Sequence, residues 1–206
     1  MSNNSVNSTA SQTGYSRSLQ RETTRRQLVE AGLRVVAAHG FGGATTAAIA
    51  KATGKAHGTV FVHFKSREAL VGELVEEIGR AMSRRLADIS SEVIGVGDVV
   101  DAHLTALAEQ EVLFARLLAE ASTLPLGSRA RIFALQSGIA WRLRAAYARA
   151  VANGTARAMD PVVLANTWIA LTNHYLMNRD LFAPGASVIA VRGAELKNQL
   201  LEIIRP

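Results

Sequence analysis

Gly54 divides the stretch from Thr45 to Phe64 into two halves and limits the folds open to it. It separates two short stretches, each with the apolar spacing of a helix. In the first, Thr45 or Thr46 stands where a hydroxyl can accept from the orphan backbone N–H groups of a helix start. Ile49 and Ala52 give that helix a small inward face. Gly54 then supplies the left-handed turn conformation that other residues adopt only at a cost. The second helix, over about 56–64, turns Val60 and Phe64 inward and leaves His57, Thr59, Phe61 and His63 outward. Two short helices joined through a glycine turn form either a helix-turn-helix or an ordinary helical hairpin. The pattern alone does not choose between them.

Charge distribution does. The chain carries a net charge of +6, and residues 1–66 hold eight Lys or Arg against two acids, Glu22 and Glu30. The remaining residues hold fifteen of each sign. All the excess positive charge therefore surrounds the two short helices, as expected of a surface that neutralises nucleic-acid phosphates.

Residues 1–20 are polar and read as a disordered tail; Arg17 and Arg21 could serve as a basic arm. Leu28, Ala31, Gly32, Val35 and Val36 then fall on one stripe of an amphipathic helix that Gly40 ends. Gly32 inside that stripe suggests a neighbouring helix at close range. Leu28, Val35, Phe41, Ile49, Val60 and Phe64 make up the core expected of this three-helix unit. Ser66 and Glu68 mark a further helix start, and Leu70, Leu74, Ile78, Met82 and Leu86 carry that helix to about Ile89. Gly95-Val96-Gly97 reads as a boundary between domains.

The run Ala44-Thr45-Thr46, Ile49-Ala50, Gly54 and Gly58-Thr59-Val60-Phe61-Val62-His63-Phe64-Lys65-Ser66-Arg67-Glu68-Ala69-Leu70, following Gly40-Phe41, resembles the tetracycline-repressor-like (TetR) family over residues 21–81. The resemblance implies an all-α homodimer. Its helix-turn-helix DNA-binding domain (residues 21–81, the motif at about 44–63) would join through a long helix to a helical effector-binding and dimerisation domain (82–206). It implies a palindromic double-stranded DNA operator, and a small effector that releases it. Matched residue by residue, His57, Gly58, Thr59, Phe61, Val62 and His63 face the groove, Thr45 and Thr46 meet the backbone, and Lys65 and Arg67 approach phosphates. Phe61 stands where the family usually has Tyr, Ala47 and Ala48 replace residues often polar, and Ala56 replaces a frequent capping residue. Base readout then leans on Lys55, His57 and apolar contact with thymine methyls.

In the second half, Asp98 reads as the cap of a helix carrying Val100, Leu104 and Leu107 inward. Glu111 falls near a break at Gln110. It either lies on the apolar line of Leu107, Phe114 and Leu118 as a buried carboxylate needing a partner, or begins a separate helix and complements its dipole. Ser128 opens a helix that ends at Asn153-Gly154 and bears Gln136, Trp141 and Tyr147. Asp160-Pro161 starts a helix running to about Phe182 that is apolar nearly all round. The last helix presents Ile189, Gly193, Leu196, Leu200 and Ile203. The final two helices suit an isologous two-fold bundle. His103, Leu107, Glu111, Phe114, Trp141, Tyr147, Trp168, Asn173, His174 and Tyr175 are the candidate lining of a site for a small, largely apolar effector.

The five histidines show no metal-ligand spacing, no phosphate loop or nucleophile elbow occurs, and no cofactor is implied, so an enzyme is not expected. With no cysteine, no signal-peptide pattern and no apolar run of membrane-spanning length, a cytoplasmic protein without a membrane partner is expected. A repressor, an activator and a constitutive DNA-binding regulator all remain compatible with the chain.

Overall fold

A computed structural model describes residues 6–87 and 95–206, which form helices and their connections with no strand among them. They divide into two compact units between Leu74 and Val75. The first holds α1 (Val6–Gly43), α2 (Thr46–Thr53), α3 (His57–His63) and the opening turns of α4 (Arg67–Ala87). The second holds the rest of α4 with α5 (Val96–Glu109), α6 (Glu111–Ala119), α7 (Leu126–Ala152), α8 (Pro161–Met177), α9 (Arg179–Phe182) and α10 (Val188–Ile203). No helix among the described residues is long and apolar enough to cross a membrane.

In the first unit Leu28, Phe41, Ile49, Val60 and Phe64 are buried together with Leu70 and Leu74. Gly40 breaks α1 at φ 71°, ψ 178°, which lets Phe41 turn back into this core. Gly32 is needed for close approach, since a Cβ there would lie 2.7 Å from Leu74 Cδ2. An alanine there would add roughly 1 kcal/mol of helix propensity but would require the fully buried Leu74 side chain to shift. Ser66 Oγ accepts from Ala69 N–H at 3.1 Å and so caps α4.

Several sequence expectations need correction. α1 is already helical from Val6, where a tail through residue 20 was expected. Extending a formed helix adds one hydrogen bond per residue without a new nucleus, and the exposed side chains of residues 16–23 leave no periodic signal. Residues 1–5 of that tail, and the expected end of α4 near Ile89, lie outside the described residues. The division between units falls within α4, and Gly95-Val96-Gly97 is the start of α5, with Val96 buried. Gly95, not Asp98, is the N-cap; Asp98 reaches back one turn to accept Gly95 N–H at 2.9 Å. α7 begins at Leu126 rather than Ser128. α8 stops at Met177 instead of continuing to Phe182; Asn178 caps it, its side-chain amide and backbone N–H both donating to the His174 carbonyl, at 2.8 and 3.1 Å.

Candidate nucleic-acid interface and effector cavity

Thr45 has extended backbone and its hydroxyl accepts from Ala48 N–H at 3.1 Å, fixing the start of α2. Gly54 closes α2 at φ 65°, ψ 18°, and its N–H donates to the carbonyls of Ala50 and Lys51. α3 starts without a side-chain cap. Its first turn is held instead by Thr46, whose Oγ1 lies 2.9 Å from His57 Nε2. The His57 and Phe61 rings meet edge to face at 5.0 Å. With Val60 fully buried, α3 leaves Phe61 47% and Val62 65% exposed beside an exposed His57. A Cβ at Gly58 would meet nothing within 4 Å, so the backbone of α3 is bare at that point. Thr59 and His63 are half-buried on its flanks. Burial, with the charges of Arg21, Arg25 and Lys55, holds His63 below its ordinary pKa and favours the neutral ring.

The cations of the first unit differ in what they are paired with. Arg17, Arg21, Arg34, Lys51, Lys55 and Lys65 make no ion pair among the described residues. Arg25 is committed internally: it donates to the His63 carbonyl at 3.0 Å, pairs with Glu73, and lies 4.5 Å over the Phe64 ring. Arg67, expected at a phosphate, donates to the Phe41 carbonyl at 2.9 Å and ties α4 to the end of α1. Arg25 was counted only as part of the basic excess; nothing local in the sequence marks a contact with a residue 38 positions away.

The second unit encloses a cavity of about 20 Å³ lined by Met82, Leu86, His103, Phe114, Leu135, Gln136, Ile139, Ile169, Thr172 and Asn173. Of the sequence candidates, His103, Phe114 and Asn173 line it, and Trp168 packs behind, donating Nε1–H to His103 Nδ1 at 3.0 Å. Burial pushes His103 down to about 4. The other candidates lie elsewhere. Leu107 is core. Trp141 is 69% exposed on the outside of α7. The Tyr147 hydroxyl donates to the Arg157 carbonyl at 2.7 Å and accepts Met159 N–H at 2.8 Å, fastening the loop before α8. Tyr175 stacks on Phe182 at 4.1 Å, and His174 meets the same ring edge-on.

Glu111 both begins α6 and is buried, with only 6% of its surface exposed. Its partner is the N-terminus of α10: the carboxylate accepts from Val188 N–H at 2.9 Å, Ile189 N–H at 3.2 Å and the Ser187 hydroxyl. An acid at a helix N-terminus meets orphan donors and the positive end of the helix dipole. The carboxylate is therefore satisfied by the protein and does not line the cavity. Gln136 and Thr172 were the lining residues most open to discovery, as polar side chains on otherwise apolar helix faces.

The first unit has the arrangement of a helix-turn-helix protein, which lays its second helix in the DNA major groove. Residues 28–74 match the model for bacterial regulatory proteins of the tetR family. The chain is 36% identical over 69 residues to the HTH-type transcriptional repressor AcnR of Corynebacterium glutamicum, an alignment covering 34% of this chain and 35% of that relative. It thus spans about a third of the length of the curated relatives it matches. Among solved structures, a TetR-family transcriptional regulator from Agrobacterium tumefaciens matches with a TM-score of 0.74 at 16% identity, over 90% of this chain and 100% of that one. The regulator FadR from Bacillus subtilis in complex with stearoyl-CoA matches with a TM-score of 0.69 at 20% identity, over 87% and 99% of the two chains. The family match covers residues 28–74, within the first unit, and the likeness over the rest of the chain is one of fold.

Proposed function

We propose that the protein is a cytoplasmic transcriptional repressor that binds a palindromic operator as a homodimer and is released by a small molecule bound in its second unit. The carrying observation is the contrast on α3: one side is locked by Val60 and Arg25, while His57, Phe61 and Val62 stand exposed among cations that make no ion pair among the described residues. Thr45, Thr46, Lys55, Gly58, Thr59, His63 and Lys65 complete the proposed DNA surface. Arg67 acts by holding α4. The curated relative's name, a transcriptional repressor, supports repression over activation.

Dimerisation through α8 and α10 is supported by the apolar side chains these helices leave in solvent, among them Val163, Met177 and Val191. A two-fold dimer sets its recognition helices about one DNA turn apart, roughly 34 Å, which is why the operator is a near-palindrome. The fold neighbour holding stearoyl-CoA supports an effector role for the helical unit. A cavity of about 20 Å³ admits an effector only if its walls part. Met82 and Leu86 belong to α4, so a ligand that parts them favours a different position of that helix. Release then needs only unequal affinity for the two forms. The cavity's small size favours one other reading, a constitutive repressor with no effector.

Fluorescence anisotropy on a palindrome from the gene's own upstream region tests the proposal. Binding should weaken steeply with salt. Lys55→Ala or His57→Ala should weaken it about tenfold, the worth of one good contact, whereas Phe61→Tyr should retain or tighten it. If both alanine variants bind with unchanged affinity and sequence preference, α3 is not the reading face.

A further inference from the structure

We infer that the cavity of the second unit selects an uncharged, mainly aliphatic ligand that presents a hydrogen-bond acceptor to His103 Nε2; this rests on the effector reading above. Trp168 Nε1–H can only donate, so His103 Nδ1, 3.0 Å away, must accept. The imidazole is then neutral and its proton is on Nε2. That N–H belongs to a cavity-lining side chain, donates to no protein group among the described residues, and is still open to a small entering molecule. A donor that faces a cavity and is not taken up by the protein is a point of attachment for any acceptor that enters.

The rest of the lining narrows the choice. Gln136 and Asn173 also face the cavity without a hydrogen-bond partner among the described residues. Their amides can donate or accept, and so can hold a second polar atom of either kind. No Lys, Arg, Asp or Glu lines the cavity. A carboxylate or ammonium brought in would lose its hydration without gaining a counter-charge. Glu111, buried in the same unit, is taken up by the start of α10. Leu86, Phe114 and Ile139 supply the apolar wall.

The test compares four six-carbon probes on the full chain: 2-hexanone, hexane, hexanoate and hexylammonium, followed by calorimetry and by the rise in melting temperature. The ketone should bind at least tenfold more tightly than each of the others, the margin one hydrogen bond to an otherwise unpaired donor provides. His103→Gln keeps an acceptor for Trp168 and a donor for the ligand, and should retain ketone binding within about threefold, whereas His103→Phe should lose tenfold or more. If His103→Phe does not fold, the ranking of probes on the unaltered protein decides alone. Equal or tighter binding of hexanoate, hexylammonium or hexane overturns the inference, and so does binding by none of the four. Operator anisotropy with the same probes separates the two claims. A ketone that binds with the expected ranking but leaves DNA bound overturns the effector reading and upholds the cavity's chemistry. Release of DNA by a charged probe does the reverse.

Discussion

Arg25 in the first unit and Glu111 in the second are charged groups doing the same job with opposite sign. Arg25 sits at the C-terminal end of α3 and donates to its last-turn carbonyl; Glu111 sits at the N-terminal end of α10 and accepts from its first N–H groups. Each matches the partial charge of the helix end it meets. They differ in burial. The Arg25 side chain keeps 35% of its surface in solvent and Glu111 keeps 6%. Water can partly replace what Arg25 does, but nothing replaces Glu111. The comparison shows that a charge near a candidate site can be spent on the fold: both of these charged groups fix a helix end.

The largest expected effect follows from that difference. Glu111→Ala strips the start of α10 of a buried carboxylate and should lower stability by about 3–5 kcal/mol in a urea titration. A loss below about 1 kcal/mol would break the comparison, because it would mean the α10 donors are already solvated. His103 gives a second test of burial. With its native pKa near 4 against an ordinary value of 6.5, the unfolded chain takes up a proton that the native protein refuses. Stability should be full above pH 6.5 and fall towards pH 4 by up to about 1.4 kcal/mol per unit. Urea titrations across that range should show this slope shrink in His103→Gln. Smallest is Arg25→Ala, expected to cost about 1–2 kcal/mol through the lost cation–π contact and partly screened ion pair. A cost matching that of Glu111→Ala would show that exposure does not separate the two residues.

How legible these features were in the sequence depends on how local they are. The helix-turn-helix lies within a contiguous stretch, so a cap at Thr45 or Thr46, Gly54 at the turn and Val60 inward could be read locally, and the structure chooses Thr45. The charge excess could be located by counting. The cavity draws its walls from α4, α5, α6, α7 and α8, and its central hydrogen bond joins residues 65 positions apart. Periodicity places Phe114 on an inward face but leaves Asn173 open between a cavity and a dimer partner, and it cannot say which inward faces meet around a space. Glu111 is the clearest case. Both of its alternatives were legible and both hold, burial and helix start together, yet the partner that reconciles them lies 77 residues onward at Val188. Trp141 failed for the opposite reason: a large aromatic on a helix flank was assigned inward, and the flank faces solvent.

On the proposed function, the unpaired cations of the first unit bind DNA while Arg25 builds the fold. Operator affinity measured over a range of salt concentrations tests it most directly, for the unaltered protein, Lys55→Ala and Arg25→Ala. Removing a phosphate contact lowers the slope of log affinity against log salt by about 0.9 per protomer. Lys55→Ala should show that drop with an unchanged melting temperature, and Arg25→Ala should lower the melting temperature and keep the slope. The reverse pattern, a lost phosphate contact at Arg25 and a destabilised fold at Lys55, would contradict the account.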